Sequence, residues 1–224
     1  LHSFPTRRSS DLEPAHAELK EKSTEPVFVS PGFFRPDKGG EQVLRALAKA
    51  KSHGLRFKHI FVGGIQRQFA EQDSYKRELS ELACSLGFKG EIVILEKDFD
   101  RDDLITFVQD ADCGLIGYQN PVQGSSGIVP LILSAGRPVI STPIEYSRQA
   151  SQVVSGVILA DNFSADALCT SILRFSGEVS AWRSRFEELY AETRRWVWPE
   201  TAARYRSAFQ SALMGHGELI DHNV

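Results

Sequence analysis

Two short segments of this chain combine residue types that could hold an anion. The first is Gly32-Phe33-Phe34-Arg35-Pro36-Asp37-Lys38-Gly39-Gly40, which offers two cations and paired glycines. Glycines let a backbone approach a ligand closely. Lys38 stands just ahead of a predicted helix start at Gly39, where its charge and the helix dipole would act on one anion. Arg35 could add forked phosphate contacts. The second segment is Gln123-Gly124-Ser125-Ser126-Gly127, at the mouth of another predicted helix. Gln123, with Gly124 and Ser125, suits sugar hydroxyls, while the Ser126 and Gly127 amides suit a distal phosphate. Each segment also has a plainer reading. The first could be a solvated turn with exposed cations, and Ser125 or Ser126 could simply be an N-cap.

The elements around these segments must set them side by side. Short apolar runs predict strands at 27–30, 59–62, 92–95, 113–116, 138–141 and 157–159. Between them, helical spacing marks 39–53 through Val43, Leu47 and Ala50, and a helix through Tyr75, Leu79, Leu82 and Leu86 that ends at Gly87. Further helices are predicted at 102–111, at 126–135, from Pro143, and at 165–175, with two more across 179–214 joined near Trp198-Pro199. Thr142-Pro143-Ile144-Glu145 fits a capping box with proline at the first helical position. The strands are apolar throughout rather than alternating, as expected when helices cover both sheet faces. Alternating strands and helices predict an α/β fold with a doubly wound parallel sheet of about six strands. Both anion segments then follow strands, at the carboxyl edge where such sheets bind ligands. Together they point to a nucleotide-sugar site, with Gly32, Gly64 and Glu145 as further candidate nucleotide contacts. Gly63-Gly64 also reads as a strand stop, and Glu145 as the carboxylate of the capping box.

Composition narrows the classes. The 224 residues suffice for one domain with a sizeable core. A net charge of −3 argues against nucleic-acid binding through bulk charge. Cys84, Cys113 and Cys169 are widely spaced among apolar neighbours, which predicts buried free thiols in a reducing, cytoplasmic setting rather than disulfides or zinc. No apolar run approaches the roughly 20 residues of a spanning helix. The histidines are scattered: His16, His216 and His222 lie towards the ends, and His53 and His59 read as exposed, so no metal is expected. Asp98, Asp100, Asp102 and Asp103 read as a helix cap before a cation site. The first twelve residues, LHSFPTRRSSDL, resemble the translation of a common short-read sequencing adapter. The expected organisation is therefore an artefact at 1–12, a charged linker at 13–25, a ligand-binding domain at 26–178, C-terminal helices at 179–214 and a tail at 215–224. On that reading the chain is the C-terminal part of a longer protein.

Val27 to Gly40 resembles the first strand and phosphate loop in the C-terminal, donor-binding domain of retaining glycosyltransferases of the GT-B fold, the group 1 family. Tyr118 to Thr142 is similar to that family's donor segment, in a subgroup with Q-x-x-S-G in place of E-G-F-G, and Trp198-Pro199…Tyr205 to its C-terminal helix. The resemblance implies a Rossmann-like half of a GT-B enzyme. It also implies transfer of a sugar from a nucleotide-diphosphate donor, with retention, to an unknown acceptor such as a polysaccharide or lipid-linked glycan. No metal would be needed, because cations and a helix dipole stabilise the departing diphosphate. A missing N-terminal domain would supply acceptor contacts and any catalytic base, so this half alone should not turn over. In full length the protein would be cytoplasmic or peripheral at the inner membrane. Lys38 corresponds to the family's phosphate-binding lysine, and Gln123 to the first glutamate of its E-x7-E pair. Two positions depart: Phe33 replaces the expected arginine, and Leu131 replaces the second glutamate, which holds the ribose hydroxyls. A module that binds nucleotide sugar without catalysis, a sugar-nucleotide epimerase and a doubly wound domain without nucleotide ligand are the alternatives.

Overall fold

Six apolar runs pair into one all-parallel sheet, in the computed structural model that describes residues 25–64, 71–96, 99–194 and 198–213. The strands are β1 (Val27–Pro31), β2 (Lys58–Gly63), β3 (Ile92–Glu96), β4 (Cys113–Ile116), β5 (Val139–Ser141) and β6 (Val157–Leu159). Their order across the sheet is β3-β2-β1-β4-β5-β6. The chain thus winds outward one way from β1, returns, and winds the other way from β4. Loops leaving β1 and β4 diverge and open a crevice between them, the usual ligand position in this architecture. Among the expected segments, residues 1–24, Asp98, Trp196 and residues 214–224 lie outside the described residues.

Both sheet faces are covered, which is why the strands lack alternation. Phe28, Phe61, Leu115, Ile140 and Ile158 belong to one core, against helices α1 (Gly40–Ser52), α2 (Glu71–Ser85) and α6 (Ala165–Gly177). Val27, Val29, Ile60, Val62, Ile116 and Val139 point the other way, towards α3 (Arg101–Asp110) and α4 (Ile128–Ser134). α1 buries Val43, Leu44, Leu47 and Ala50, a stripe at helical spacing. Each fully buried Leu or Phe of these cores contributes about 2 kcal/mol of burial free energy. The Asp100 carboxylate caps α3 by accepting from the Asp103 N–H at 2.8 Å, as the acidic run predicted. Ser164 caps α6 in the same way, from Ala167.

Several expectations are corrected. The helix predicted from Pro143 is α5 (Glu145–Ser151), preceded by Ile144 with no side-chain cap. Thr142 is drawn elsewhere: its hydroxyl is buried and donates to the Tyr118 carbonyl at 2.6 Å. Glu145 accepts from the Gln149 amide one turn on, so no capping box forms. His59 is fully buried, because β2 is covered on both faces. Cys84 is exposed on α2, whereas Cys113 and Cys169 are buried. The C-terminal stretch has a further break at Arg185, giving α7 (Val179–Ser184), α8 (Phe186–Thr193) and α9 (Trp198–Leu213). On α9 Tyr205 and Phe209 are exposed.

At the amino edge of the sheet one carboxylate gathers three elements. Asp112, just before β4, is 6% exposed. It takes two bonds from the Arg183 guanidinium of α7, at 2.7 and 2.8 Å, and one from the Val27 N–H at 2.9 Å. The Asp112 hydrogen bond holds the Arg183 guanidinium above its usual range. Arg137 performs a related task between α4 and β5. It donates to the Gln109 and Ala111 carbonyls at the end of α3, and its guanidinium lies 3.9 Å from the Phe186 ring centre of α8. Burial pushes that guanidinium down to about 10, so it stays charged at neutral pH.

Candidate functional site

The turn after β1 is shaped by its proline and glycines. Pro36–Lys38 form a single 3-10 turn, with the Lys38 N–H bonded to the Arg35 carbonyl at 3.0 Å and the Gly39 N–H to the Pro36 carbonyl at 3.0 Å. Gly39 then adopts φ +64 and starts α1. A side chain there would also collide with the Gly117 carbonyl, 1.7 Å from the position of a Cβ. This contact between the β1 turn and the end of β4 brings Lys38 above Tyr118. The ammonium lies 4.7 Å from the ring centre, and Tyr118 is 4% exposed. A cation over an aromatic face is held there favourably.

The second segment is fixed from two sides. The first N–H groups of α5 donate into it, Glu145 to the Pro121 carbonyl and Tyr146 to the Gln123 carbonyl, each at 3.0 Å. Ser126 accepts from the Val129 N–H at 3.2 Å and so caps α4, whose first helical residue is Ile128. The Ser126 side chain acts on the Tyr118 phenol. Burial, with Asp37's charge adding to it and Ser126 opposing, pushes the Tyr118 phenol up to about 12. At neutral pH it is a neutral O–H group. Tyr118 therefore underlies both anion segments.

Between them opens a cleft of about 730 Å³. Lys38, Gln123, Ser125, Ser126 and Gly127 line it, as do Gly32 and Gly64. Lys38 is the one charged side chain among the described lining residues. Gly63 is also at its wall, where a Cβ would stand 1.7 Å from the Gly32 carbonyl, so β1 and β2 meet there at bare backbone.

Four of the candidate residues lie elsewhere. Arg35 does not line the cleft, and its Nε donates to Asp37 at 2.9 Å. Gly39 touches Gly117 and is buried behind the turn. Gly124 is exposed and outside the lining, and Glu145 anchors the loop through its backbone. Gly40, the first residue of α1, is buried, and a Cβ there would meet Leu79 and Tyr75. The departures are equally clear. Phe33 lines the cleft, 43% exposed, while Leu131, on α4, is half-buried and packs against the core.

The remaining wall is apolar or aromatic: Phe99, Leu104, Ile128, Tyr118 and Tyr146. Sequence patterning did not single these out. A signal was present for Tyr118, an aromatic two residues past a predicted strand end. Phe99 comes from the β3–α3 connection and Leu104 from the first turn of α3, which nothing in the sequence ties to this crevice.

Residues 11–179 match the family model described as glycosyl transferases group 1. This chain belongs to the group 1 glycosyl transferases. No curated protein matches the sequence. Solved structures show which fold the family member shares. A glycosyltransferase from Rickettsia africae ESF-5 is 16% identical, with 93% of this chain covering 53% of that one at a TM-score of 0.70. An α,α-trehalose-phosphate synthase (UDP-forming) from Burkholderia xenovorans, in complex with glucose-6-phosphate, is 14% identical, at 84% and 43% coverage and a TM-score of 0.66. Anabaena HepE, in complex with UDP and glucose, is 16% identical, at 83% and 48% coverage and a TM-score of 0.65. The transferase chain thus spans about half the length of the structures it matches, and has the Rossmann-like architecture of a GT-B half. Among the described residues no helix is long and apolar enough to cross a membrane.

Proposed function

We propose that this chain is the donor-binding half of a glycosyltransferase that moves a sugar from a nucleotide diphosphate to an acceptor, with retention at the anomeric carbon. The observation that carries the reading is the cleft at the carboxyl ends of β1 and β4. In it Lys38, the one cation among the described lining residues, stands with the Ser125–Gly127 segment at the mouth of α4. Lys38 is assigned to the diphosphate, with the Ser126 and Gly127 amides on its distal phosphate and Gln123 on the sugar. Negative charge grows on the leaving diphosphate as the glycosidic bond breaks, and donors already in position stabilise it without reorganising. The Tyr118 ring beneath the cation and the low-charge wall around it lower the local dielectric, which strengthens its attraction for phosphate. These groups need no metal to act. Acceptor contacts and any catalytic base are assigned to a second half of the protein, in keeping with this chain covering 43–53% of the matched structures. Family membership favours transfer over the epimerase reading.

A thermal-shift panel with UDP, GDP and ADP tests the donor site. A nucleotide at 100 times its dissociation constant stabilises by about 2.7 kcal/mol, a shift of several degrees for a chain of this size. One base should shift the melting point selectively, and Lys38→Ala should weaken that nucleotide about tenfold or more, as loss of a charge-assisted contact does. No shift with any nucleotide, or an indifferent Lys38→Ala, removes the assignment.

Phe33 and Leu131 favour a second reading, a module that binds nucleotide sugar without transferring it. Leu131, half-buried against the core, has no acceptor for the hydrogen bonds of ribose hydroxyls. On that reading the protein carrying both halves binds nucleotide but neither transfers nor hydrolyses the donor sugar.

A further inference from the structure

Between the two cations of the β1 turn stands a carboxylate. Asp37 accepts from the Arg35 Nε through Oδ1 at 2.9 Å and pairs with the Lys38 ammonium through Oδ2 at 3.1 Å. The 3-10 turn holds the three side chains together, since its backbone bonds fix Arg35, Asp37 and Lys38 within four consecutive residues. Of the three only Lys38 lines the cleft. Asp37 also reaches across electrostatically to Tyr118, whose phenol feels its negative charge.

We propose that Asp37 is a built-in counter-ion, which holds the cations of this turn until a phosphate displaces it and thereby sets how tightly a diphosphate binds. The inference rests on the reading that Lys38 contacts the diphosphate. Two cations and one carboxylate leave the turn with a net charge of +1, where the cations alone would give +2. An incoming diphosphate must both part Lys38 from Asp37 and accept a nearby negative charge. Both effects weaken binding. They also make it reversible, which suits a site that must release its nucleoside diphosphate after each transfer. The side chains are partly solvent-exposed, at 43% for Asp37 and 28% for Lys38. Ion pairs so exposed add little to folding. Removing the carboxylate should therefore change affinity and leave the fold intact.

The test compares the 224-residue chain with Asp37→Asn, which keeps the size and an acceptor for Arg35. The probes are UDP, GDP, ADP and inorganic pyrophosphate, titrated at low and high salt, with uridine, guanosine and adenosine as uncharged controls. Asp37→Asn should bind the diphosphates and pyrophosphate about three- to tenfold tighter at low salt, the effect of one unit charge at about 4 Å in a water-like dielectric, which the exposure of these side chains implies. The gain should shrink as salt screens it, and nucleoside binding should not change. Unchanged or weaker diphosphate binding overturns the proposal, as does an equal gain for the nucleosides. Lys38→Ala separates the two levels. If it weakens UDP while Asp37→Asn fails to tighten it, the counter-ion role alone is wrong. If Lys38→Ala changes nothing, or if no probe binds any of the proteins, the donor-site reading falls as well.

Discussion

His59 shows what a single buried polar side chain does to this molecule. The Ser30 hydroxyl donates to the Leu115 carbonyl at 2.8 Å, so the His59 Nε2–H must donate to Ser30, 3.0 Å away. Nδ1 is left bare and without a hydrogen-bond partner, and the ring meets Phe61 edge-on at 4.3 Å between centres. Burial pushes the imidazole down from 6.5 to about 3. Between those values the unfolded chain holds a proton that the folded chain refuses. Stability is therefore complete above pH 6.5 and falls as pH drops towards 3, by roughly 1.4 kcal/mol per unit from this group. Urea unfolding at pH 7, 6 and 5 should show a shallower acid slope for His59→Gln than for the parent chain; equal slopes would mean that the ring is not held neutral. In the sequence, Lys58-His59 beside Ile60 looks like a polar strand end, and only the two covering layers of helices reveal otherwise. Lys38 was legible because its neighbours announce a turn. Tyr118, which carries it, was not, because an aromatic beside a strand reads first as packing.

The elements were legible where a pattern repeats and obscure where one bond decides. All six strands fall within about two residues of their apolar runs, and the helices of the α/β alternation follow their stripes. The cap of α5 was not legible, because Thr142 had two possible partners in the chain and only the fold offers the Tyr118 carbonyl. Nor was the break at Arg185, where no glycine or proline interrupts the helical pattern. The decisive joint between elements is Gly39 against Gly117, where the turn after β1 meets the end of β4 without side chains between them. Gly39→Ala adds a left-handed strain to that collision, and should cost about 3 kcal/mol or more. Chemical denaturation measures the loss. Because the same joint sets Lys38 over Tyr118, nucleotide-dependent stabilisation should also decline in this variant. A small loss with intact nucleotide binding would show that the two loops approach less closely than described.

At the scale of the whole molecule, the strand order explains why two segments some ninety residues apart share one cleft. β1 and β4 are neighbours, and everything that diverges from their carboxyl ends faces the other. The alternation of strands and helices placed both segments at carboxyl ends of strands, but not on neighbouring strands. What the alternation could not show is how the sheet's far edge is closed. There Asp112 draws the start of β1 and helix α7 together, and Arg183 is its cationic partner. Arg183→Ala leaves a buried carboxylate with the Val27 N–H. Since Arg183 is itself about a third exposed, the cost should be about 1–2 kcal/mol, read as a lower denaturation midpoint at pH 7. Asp112→Asn in the same chain should recover part of it. The pair also sets where this protein can be recombined. A chimera whose junction falls at Gly177, the natural end of the last sheet-covering helix, would inherit Asp112 from one parent and whatever stands at position 183 from the other. Exchanges of donor specificity between relatives should therefore carry the chain through Ser184, so that acid and base arrive from the same parent.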